Sequence, residues 1–323
     1  STVLPPTELH MAADSPAPDT LQSAINAVDD GLSNVLCSDS PAVLYDTVRD
    51  VLASAGLPLF GGVTLTVADA LGGRNTFERA LPVAVALEAV RLQGIIHTDH
   101  PLALSTQNYL DTSDVLAGDA LYAGAVETIL SVDMPCSRRQ RALETIVTTA
   151  RETSEGRAQR DQYERRDDVS VSSYLSVVEQ TTGNIGAAAG RLGALTVGAD
   201  KPLIVDAAAY GRALGVAIGV YEDASAILPD LPSLYRADPV TPVQTLATIH
   251  ARENGVPVDR LQLFEHDIDR LVEKLTQTGS IAYTTRELRN KARTAKAALA
   301  TFPDSSVTDD LRTLAEVPVN RFS

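Results

Sequence analysis

The stretch SYLSVVEQTTGNIGAAAGRLGALTVGAD, residues 173–200, decides the fold of this chain. Its apolar and small residues recur at three- and four-residue steps, which predicts one long helix over 172–198; the stripe is Val178, Thr181, Ile185, Ala188, Leu192 and Leu195. Each glycine inside a helix costs about 1 kcal/mol relative to alanine. The segment Gly-Asn-Ile-Gly-Ala-Ala-Ala-Gly therefore indicates that a neighbouring helix packs closely against its exposed backbone.

Helical spacing continues on both sides of this stretch, and no run of alternating β-branched residues predicts a strand. Proline and glycine breakers and capping residues set the expected boundaries. Thr284 and Glu287 have capping-box spacing, so the last helix is expected to begin at Thr284. The predicted helices cover 40–55, 81–98, 114–132, 138–154, 172–198, 204–227, 257–277 and 284–301, with an ambiguous segment at 60–72.

The domain organisation follows from the same pattern. Residues 1–19 contain four prolines and no helical period, which predicts a flexible acidic tail. No repeat or linker interrupts the rest of the chain, so we expect a single helical domain over 20–323. The fold class is all-α.

Charge and composition exclude several classes of function. The 42 acidic residues exceed the 27 basic ones, giving a net charge of -15 and a pI near 4.7. Nucleic acid and anionic membranes should repel such a protein. Only four basic residues are lysines, and Asp outnumbers Glu, which is typical either of a protein adapted to a high-salt cytosol or of an ordinary acidic protein.

The sequence also predicts a cytoplasmic, soluble protein. Two cysteines, Cys37 and Cys136, are too few for a disulfide framework. No basic residue precedes Arg49, so no signal peptide is expected. The longest uncharged stretch, 51–68, is broken by glycines and a proline, and no membrane span is predicted there.

Two carboxylate-bearing segments lie at the ends of predicted apolar helices. They are His97-Thr98-Asp99-His100 and Tyr221-Glu222-Asp223. If both helices face one cavity, the carboxylates could bind divalent cations. The alternative is that each segment is a polar cluster at a helix end.

Three segments resemble the trans-isoprenyl diphosphate synthase family. They are ALPVAVALEAVRLQGIIHTDHPLALSTQNYLDTSDVLAGDALYAGAVE at 80–127, the stretch at 173–200, and YGRALGVAIGVYEDASAIL at 210–228. Their order and spacing are similar to the family's over residues 40–300. The resemblance implies an isoprenoid-synthase-type helical bundle around a central cavity. It also implies two facing Asp-Asp-x-x-Asp motifs that hold three Mg²⁺ against the substrate diphosphate.

This sequence departs from both motifs. The first set of aspartate positions holds Thr98, Asp99 and Leu102, and the second set holds Glu222, Asp223 and Ala226. If the chain is active, the resemblance makes Asp99, Glu222 and Asp223 the candidate metal ligands, with His97 or His100 assisting. Each helix lacks the i+4 carboxylate that would share its face.

Other positions of the family's phosphate-binding apparatus also differ. No basic residue lies at 55–59, where the family's Gly-Lys-Arg segment is expected. Thr181 stands at the lysine of the Lys-Thr-Gly motif, Gly219 at a glutamine before the second motif, and Arg157 at another glutamine. Gly94, just before the first motif, suggests room in the cavity. These replacements remove groups that would compensate a bound diphosphate.

A basic stripe lies on the last predicted helix. Its members, Arg286, Arg289, Arg293 and Lys296, recur at helical spacing opposite an apolar face. The stripe is either a solvated face or a surface that docks a partner or gathers phosphate.

The leading hypothesis is a degenerate isoprenyl diphosphate synthase homologue, a pseudoenzyme with little or no prenyl transfer activity. It would bind or regulate an active synthase, as a heteromer, or form a homodimer, and would need no cofactor. The alternative is an active Mg²⁺-dependent prenyltransferase or terpene-synthase-like enzyme with a reduced metal site. A third alternative is a carrier that holds an isoprenoid ligand.

Overall fold

A computed structural model describes residues 19–33, 42–98, 112–164, 166–228, 230–234, 244–256, 258 and 268–322. All regular structure in these ranges is helical, so the predicted all-α class is confirmed. The helices are α1 Asp19–Leu32, α2 Ala42–Ser54, α3 Leu59–Gly72, α4 Phe77–Thr98, α5 Thr112–Ser131, α6 Cys136–Glu164, α7 Val171–Val178, α8 Asn184–Val197, α9 Lys201–Ser225, α10 Leu246–Glu253, α11 Ile268–Gln277, α12 Ser280–Ala298 and α13 Ser306–Phe322.

The close helix packing predicted from the glycine-rich stretch is confirmed, and the neighbour is α9. A Cβ on Gly186 would lie 2.0 Å from the carbonyl oxygen of Gly211, and one on Gly190 would lie 1.9 Å from that of Ala207. Because these distances are far below van der Waals contact, only glycine permits this approach of α8 to α9.

The core is built from α3, α4, α8 and α9, with α1, α6, α12 and α13 packed around them. The ambiguous segment at 60–72 is a helix whose residues Leu59–Ala70 are all buried. Two helices, Phe77–His97 and Lys201–Ser225, are long and apolar enough to cross a membrane by length and composition. Their most apolar windows are 78% and 72% buried inside the protein, so they are core helices here.

Several predicted boundaries were wrong. The long helix over 172–198 contains a π-helical turn at Glu179–Gly183 between α7 and α8. The last part of the chain forms α11, α12 and α13, where only two helices were predicted. Helix α12 begins at Ser280, and the Thr284 hydroxyl donates to the Ser280 carbonyl within it, so the predicted capping box does not form.

Residues 1–18 of the predicted tail lie outside the described residues, and Asp19 is the first residue of α1. The helix predicted over 257–277 is described only from Ile268. The stretch predicted over 138–154 is longer in the structure, where α6 covers Cys136–Glu164.

Candidate functional site

The second carboxylate segment lies at the buried C-terminal end of α9. Glu222 and Asp223 are 4% and 6% exposed. The helix begins with the side chain of Asp200 accepting from the Leu203 amide, followed by Pro202 in the first turn. Its residues from Ala213 to the last one, Ser225, are all buried, which places the two carboxylates inside the bundle.

Both carboxylate oxygens of Asp223 are bound by side chains of other helices. Arg160 of α6 donates Nη2–H to Oδ1 at 2.5 Å, and the Tyr174 hydroxyl of α7 donates to Oδ2 at 2.7 Å. Ser170 caps α7 by accepting from the Ser173 amide, which fixes the turn that carries Tyr174. Asp223 therefore already has a cation and a neutral donor as partners.

The pKa shifts of Arg160 and Tyr174 keep both side chains in the protonated forms that bind Asp223. Burial alone would lower the pKa of Arg160, but the charge and hydrogen bond of Asp223 raise it, and the net effect is an increase. Burial, with the nearby Asp223 charge, raises the pKa of Tyr174 well above its usual value. Arg160 therefore stays charged and Tyr174 stays protonated as a donor.

Glu222 is held by the segment that follows α9. Its Oε2 accepts from the Ser233 hydroxyl at 2.6 Å, and its Oε1 accepts from the Leu234 amide at 2.7 Å. The Tyr221 hydroxyl donates to the Pro232 carbonyl at 2.9 Å, and burial raises the pKa of Tyr221 to about 12. The side chain predicted as a metal ligand thus anchors the chain at 232–234.

The cavity beside Arg160 and Tyr174, the two partners of Asp223, is small. A cavity of about 10 Å³ is enclosed by residues of α6, α7 and the start of the α10 region, which is room for no more than about one water molecule. It is lined by Arg160, Tyr163, Glu164, Val169, Tyr174, Val177, Val178 and Gln244. The backbone N–H of Gln244 donates to the Glu164 carboxylate at 3.1 Å and closes this side.

The first carboxylate segment is described only in part. Asp99 and His100 lie outside the described residues, as does the side chain of Thr98, whose backbone ends α4. His97 contacts α5: its Nε2 lies 3.2 Å from the Val115 carbonyl oxygen, and a Cβ on Gly118 would meet it at 2.2 Å. Its Nδ1 lies 3.0 Å from the Gln93 amide nitrogen.

The room expected beside Gly94 is filled. A Cβ on Gly94 would lie 3.1 Å from Cζ and 3.2 Å from Nε of Arg157, so the guanidinium packs directly on this glycine. Arg157 and Arg160 are one turn apart on α6, and they approach the ends of both α4 and α9. The inference of room from the small residue was wrong because an arginine from another helix occupies that position.

Thr181 and Gly219, which stand where the resemblance places a lysine and a glutamine, are also closely packed. Thr181 is buried in the π-helical turn, where its hydroxyl donates to the Val177 carbonyl at 2.8 Å. A Cβ on Gly219 would lie 2.3 Å from the Thr182 hydroxyl oxygen, which leaves no space for a longer side chain. The π turn therefore packs where the family resemblance would place polar side chains.

The described residues do not fit an Mg²⁺ site. Within the ranges that the structure covers, no group of three His, Cys, Asp or Glu side chains could hold a metal ion. Hard divalent cations need several converging oxygen ligands, whereas Glu222 and Asp223 are each engaged with protein donors. The two predicted ligands Glu222 and Asp223 are adjacent, but they do not converge on one position.

The basic stripe is exposed on α12, as predicted, with Leu288, Ala292, Ala295 and Leu299 buried on the other side. The Arg286 guanidinium lies 4.8 Å from the centroid of Tyr283, which stacks on His250 at 4.2 Å. Lys296 pairs with Glu316 of α13. The stripe is not part of the Asp223 site.

Arg160 and Tyr174 were missed by sequence reasoning. They lie 63 and 49 residues before Asp223 along the chain, and no motif spacing connects them. The only signal is the GRAQR segment, in which Arg157 and Arg160 recur one helical turn apart.

Comparisons with known proteins identify the family. A sequence profile of the polyprenyl synthetase family matches residues 104–265, which is half of the chain. A geranylfarnesyl diphosphate synthase of Natronomonas pharaonis is 27% identical, covering 94% of this chain and 98% of that protein. A geranylgeranyl diphosphate synthase of Methanosarcina mazei is 28% identical over 82% of this chain and 86% of that protein.

Solved structures agree. The chain is similar to the geranylgeranyl pyrophosphate synthetase of Geoglobus acetivorans, with a TM-score of 0.79 and 25% identity over 94% of this chain and 98% of that chain. It also shares the fold of the geranylgeranyl pyrophosphate synthetase of Pyrococcus horikoshii, with a TM-score of 0.80 at 24% identity, covering 93% and 97% of the two chains. This protein therefore belongs to the polyprenyl synthetase family.

Proposed function

We propose that this chain is a pseudoenzyme of the polyprenyl synthetase family, with little or no prenyl transfer activity, that binds and regulates an active isoprenyl diphosphate synthase. The observation that carries the proposal is the capture of Asp223 by Arg160 and Tyr174. A metal ion at Asp223 would have to displace the Arg160 guanidinium and the Tyr174 hydroxyl, which already bind both carboxylate oxygens. A displaced Arg160 would remain nearby as a positive charge that opposes the incoming cation.

The partner role is supported by apolar side chains on the protein surface. Among the described residues, four of the seven exposed large hydrophobic side chains lie on α5 and α6, namely Val115, Leu116, Leu130 and Val147. Leu116 and Leu130 are 14 residues apart, which places them on one face of α5. Exposed apolar groups on one helix face are typical of protein interfaces. In this proposal the partner binds as a heteromer in the cytoplasm, and a homodimer would use the same face.

The second candidate is an active Mg²⁺-dependent prenyltransferase. It is favoured by the names of the relatives, which are synthases matched over nearly their whole length. In that case Asp99 would join Glu222 and Asp223 as metal ligands after Arg160 moves away. A terpene-synthase-like activity would use the same reduced site. An isoprenoid carrier is a third candidate, and it would purify with bound lipid.

A prenyl transfer assay on the purified chain separates the first two candidates. It uses allylic diphosphates, isopentenyl diphosphate and Mg²⁺, in molar KCl and in ordinary buffer, because the acidic, lysine-poor composition would suit a halophilic protein. We expect no product from the folded protein in either buffer. Product that disappears in an Asp99→Ala, Asp223→Ala variant and persists in an Asp133→Ala control would establish the enzyme instead.

The partner role has its own test. Light scattering after size-exclusion chromatography measures association with an active geranylgeranyl diphosphate synthase from the same source. Leu116→Asp with Leu130→Asp should abolish the complex. Val43→Asp with Val205→Asp, which alters two side chains that are each 56% exposed on other helices, is the matched control. Equal binding by both double variants would contradict the assignment of this face.

A further inference from the structure

A polar groove of about 400 Å³ lies between α6, α8 and α9. None of the residues of the Asp223 site lines it, so the groove is a separate feature of the molecule. Its lining combines three arginines, two glutamates, three threonines and a small apolar floor: Arg141, Glu144, Thr145, Thr148, Thr149, Glu152, Asn184, Ala187, Ala188, Arg191, Leu195 and Arg212.

Asn184, which is 8% exposed, bridges two of the charged groups in the groove, Glu152 and Arg212. The carboxamide nitrogen of Asn184 donates to Glu152 at 3.0 Å, and its oxygen accepts from the Arg212 guanidinium at 2.7 Å. Arg212 also lies 3.4 Å from Glu179. These hydrogen-bonded side chains form a connected polar part of the groove lining.

Arg141 and Arg191 differ from Arg212. Both are exposed, and within the part of the chain that the structure describes, neither guanidinium has a hydrogen-bond acceptor or a carboxylate at ion-pair distance. Glu144 also lines the groove, where it accepts from the Gln140 amide at 3.0 Å. Arg141, Thr145 and Thr148 recur at four- and three-residue steps, so they share one face of α6. Arg191 projects from α8.

We propose that this groove binds a small polyvalent oxyanion of the phosphate class between Arg141 and Arg191. A guanidinium offers a planar fork of donors that matches phosphate oxygens in a bidentate way. The hydroxyl of Thr148 adds a neutral donor at the same face. The net charge of -15 opposes anions at long range, but at 0.15 M salt that field is screened beyond about 8 Å. Of the two glutamates in the groove, Glu152 lies 3.3 Å from Arg151, so Glu144 alone opposes the two cations Arg141 and Arg191.

Calorimetric titration of inorganic pyrophosphate into the full chain tests the proposal. EDTA is present, so that a metal-dependent substrate site cannot contribute, and the result does not depend on whether the protein is an enzyme. We expect one saturable site. Arg141→Gln with Arg191→Gln should weaken it at least about tenfold, because two charge-assisted contacts are lost. Arg289→Gln with Arg293→Gln on α12 removes the same charge and should leave the affinity unchanged.

The outcomes are distinct provided that circular dichroism shows each variant to be folded. No saturation of the wild type by about 10 mM pyrophosphate, which corresponds to binding weaker than the millimolar range, overturns the proposal. Equal weakening in both double variants also overturns it, because binding would then follow net charge alone. Loss confined to the α12 variant would assign the anion to the basic stripe and reject the groove.

Discussion

Two buried carboxylates in this protein are each paired with an arginine, and they differ in their access to solvent. Glu88 of α4 is fully buried, and its partner Arg91 is 3% exposed. Asp223 of α9 is 8% exposed in its side chain, but its partner Arg160 is 29% exposed and lies beside a small cavity. The first pair is sealed within the core, whereas the second lies at its edge.

The remaining partners of the two carboxylates strengthen this contrast. Glu88 accepts from the backbone amide of Gly61 at 2.7 Å, which ties α3 to α4, and Arg91 reaches the Ala55 carbonyl at 3.4 Å. Asp223 has only side chains as its described partners. A backbone anchor cannot rotate away, but a side chain at the solvent edge can. The Glu88 pair is therefore structural, and the Asp223 pair is the one that a ligand could exchange.

The largest expected effect is from Glu88→Ala. It removes the carboxylate that pairs with the buried Arg91 and accepts from the Gly61 amide, which should lower the free energy of unfolding by about 3–5 kcal/mol. Denaturant unfolding followed by circular dichroism measures this. Glu127→Ala, at an exposed position of α5, should change stability by less than about 0.5 kcal/mol. Recovery in a Glu88→Met, Arg91→Met double variant would confirm the charge as the cause, and a loss below 1 kcal/mol for Glu88→Ala would reject it.

A smaller loss is expected from Asp223→Ala. Tyr174 loses the acceptor of its hydroxyl, but Arg160 can turn toward water, so the loss in unfolding free energy should be about 1–3 kcal/mol. The same unfolding measurement applies, with Asp133→Ala as the exposed control. A loss equal to that of Glu88→Ala would show that the two pairs are equally sealed and would remove the distinction between them.

Some features of the fold could be predicted from the sequence and others could not. The close contact between α8 and α9 was predictable because glycine spacing within one helix records the approach of its neighbour, as at Gly186 and Gly190. The start of α12 was not predictable from sequence. The Thr284 hydroxyl donates to a carbonyl inside the helix, and a threonine in that role gives the same residue pattern as one that caps a helix. The π turn at Glu179–Gly183 was not predictable either, because five residues are too few to show a change in helical periodicity.

The site was predictable only at the level of single residues. Glu222 and Asp223 were identified from their place on an apolar helix, and both lie at the site. Their partners Arg160, Tyr174 and Ser233 come from other segments, and pairing across the fold is not encoded in local spacing. The space beside Gly94 was predicted wrongly for the same reason, since Arg157 approaches it from α6.

If a ligand can replace Arg160 beside Asp223, then removing Arg160 should allow a cation to bind at Asp223. Arg160 pairs with Asp223 and lies 4.0 Å from Glu164, so Arg160→Gln leaves two carboxylates without this cation. Millimolar Mg²⁺ should then raise the unfolding free energy by about 1 kcal/mol, as expected for a cation at several times its dissociation constant. Thermal unfolding with and without MgCl₂ measures this. Arg212→Gln, which frees the exposed carboxylate of Glu179, should show no Mg²⁺ response.

The wild-type response to Mg²⁺ is the critical comparison. We expect none, since Arg160 already compensates Asp223. Stabilisation of the wild type by millimolar Mg²⁺ would mean that the metal displaces the arginine, which would also count against the proposed loss of prenyl transfer. Absence of a response in Arg160→Gln would show that the freed carboxylates of Asp223 and Glu164 do not converge well enough to bind Mg²⁺.

The smallest expected effect is on how the unfolding free energy depends on alkaline pH. Of the two ion pairs, only the Asp223 pair has a tyrosine partner, Tyr174, that can produce this dependence. Burial and Asp223 raise the pKa of Tyr174 above its unfolded value of about 10, so its contribution to stability is complete below that value and is lost as the pH rises above it. Between pH 8 and 10.5 the loss from one such tyrosine is about 0.8 kcal/mol. Tyr174→Phe should reduce the fall in unfolding free energy by that amount. An identical fall in the wild type and in Tyr174→Phe would mean that the Tyr174 hydroxyl ionises in the folded protein as it does in the unfolded chain, and Asp223 would then not be held by a permanently neutral donor.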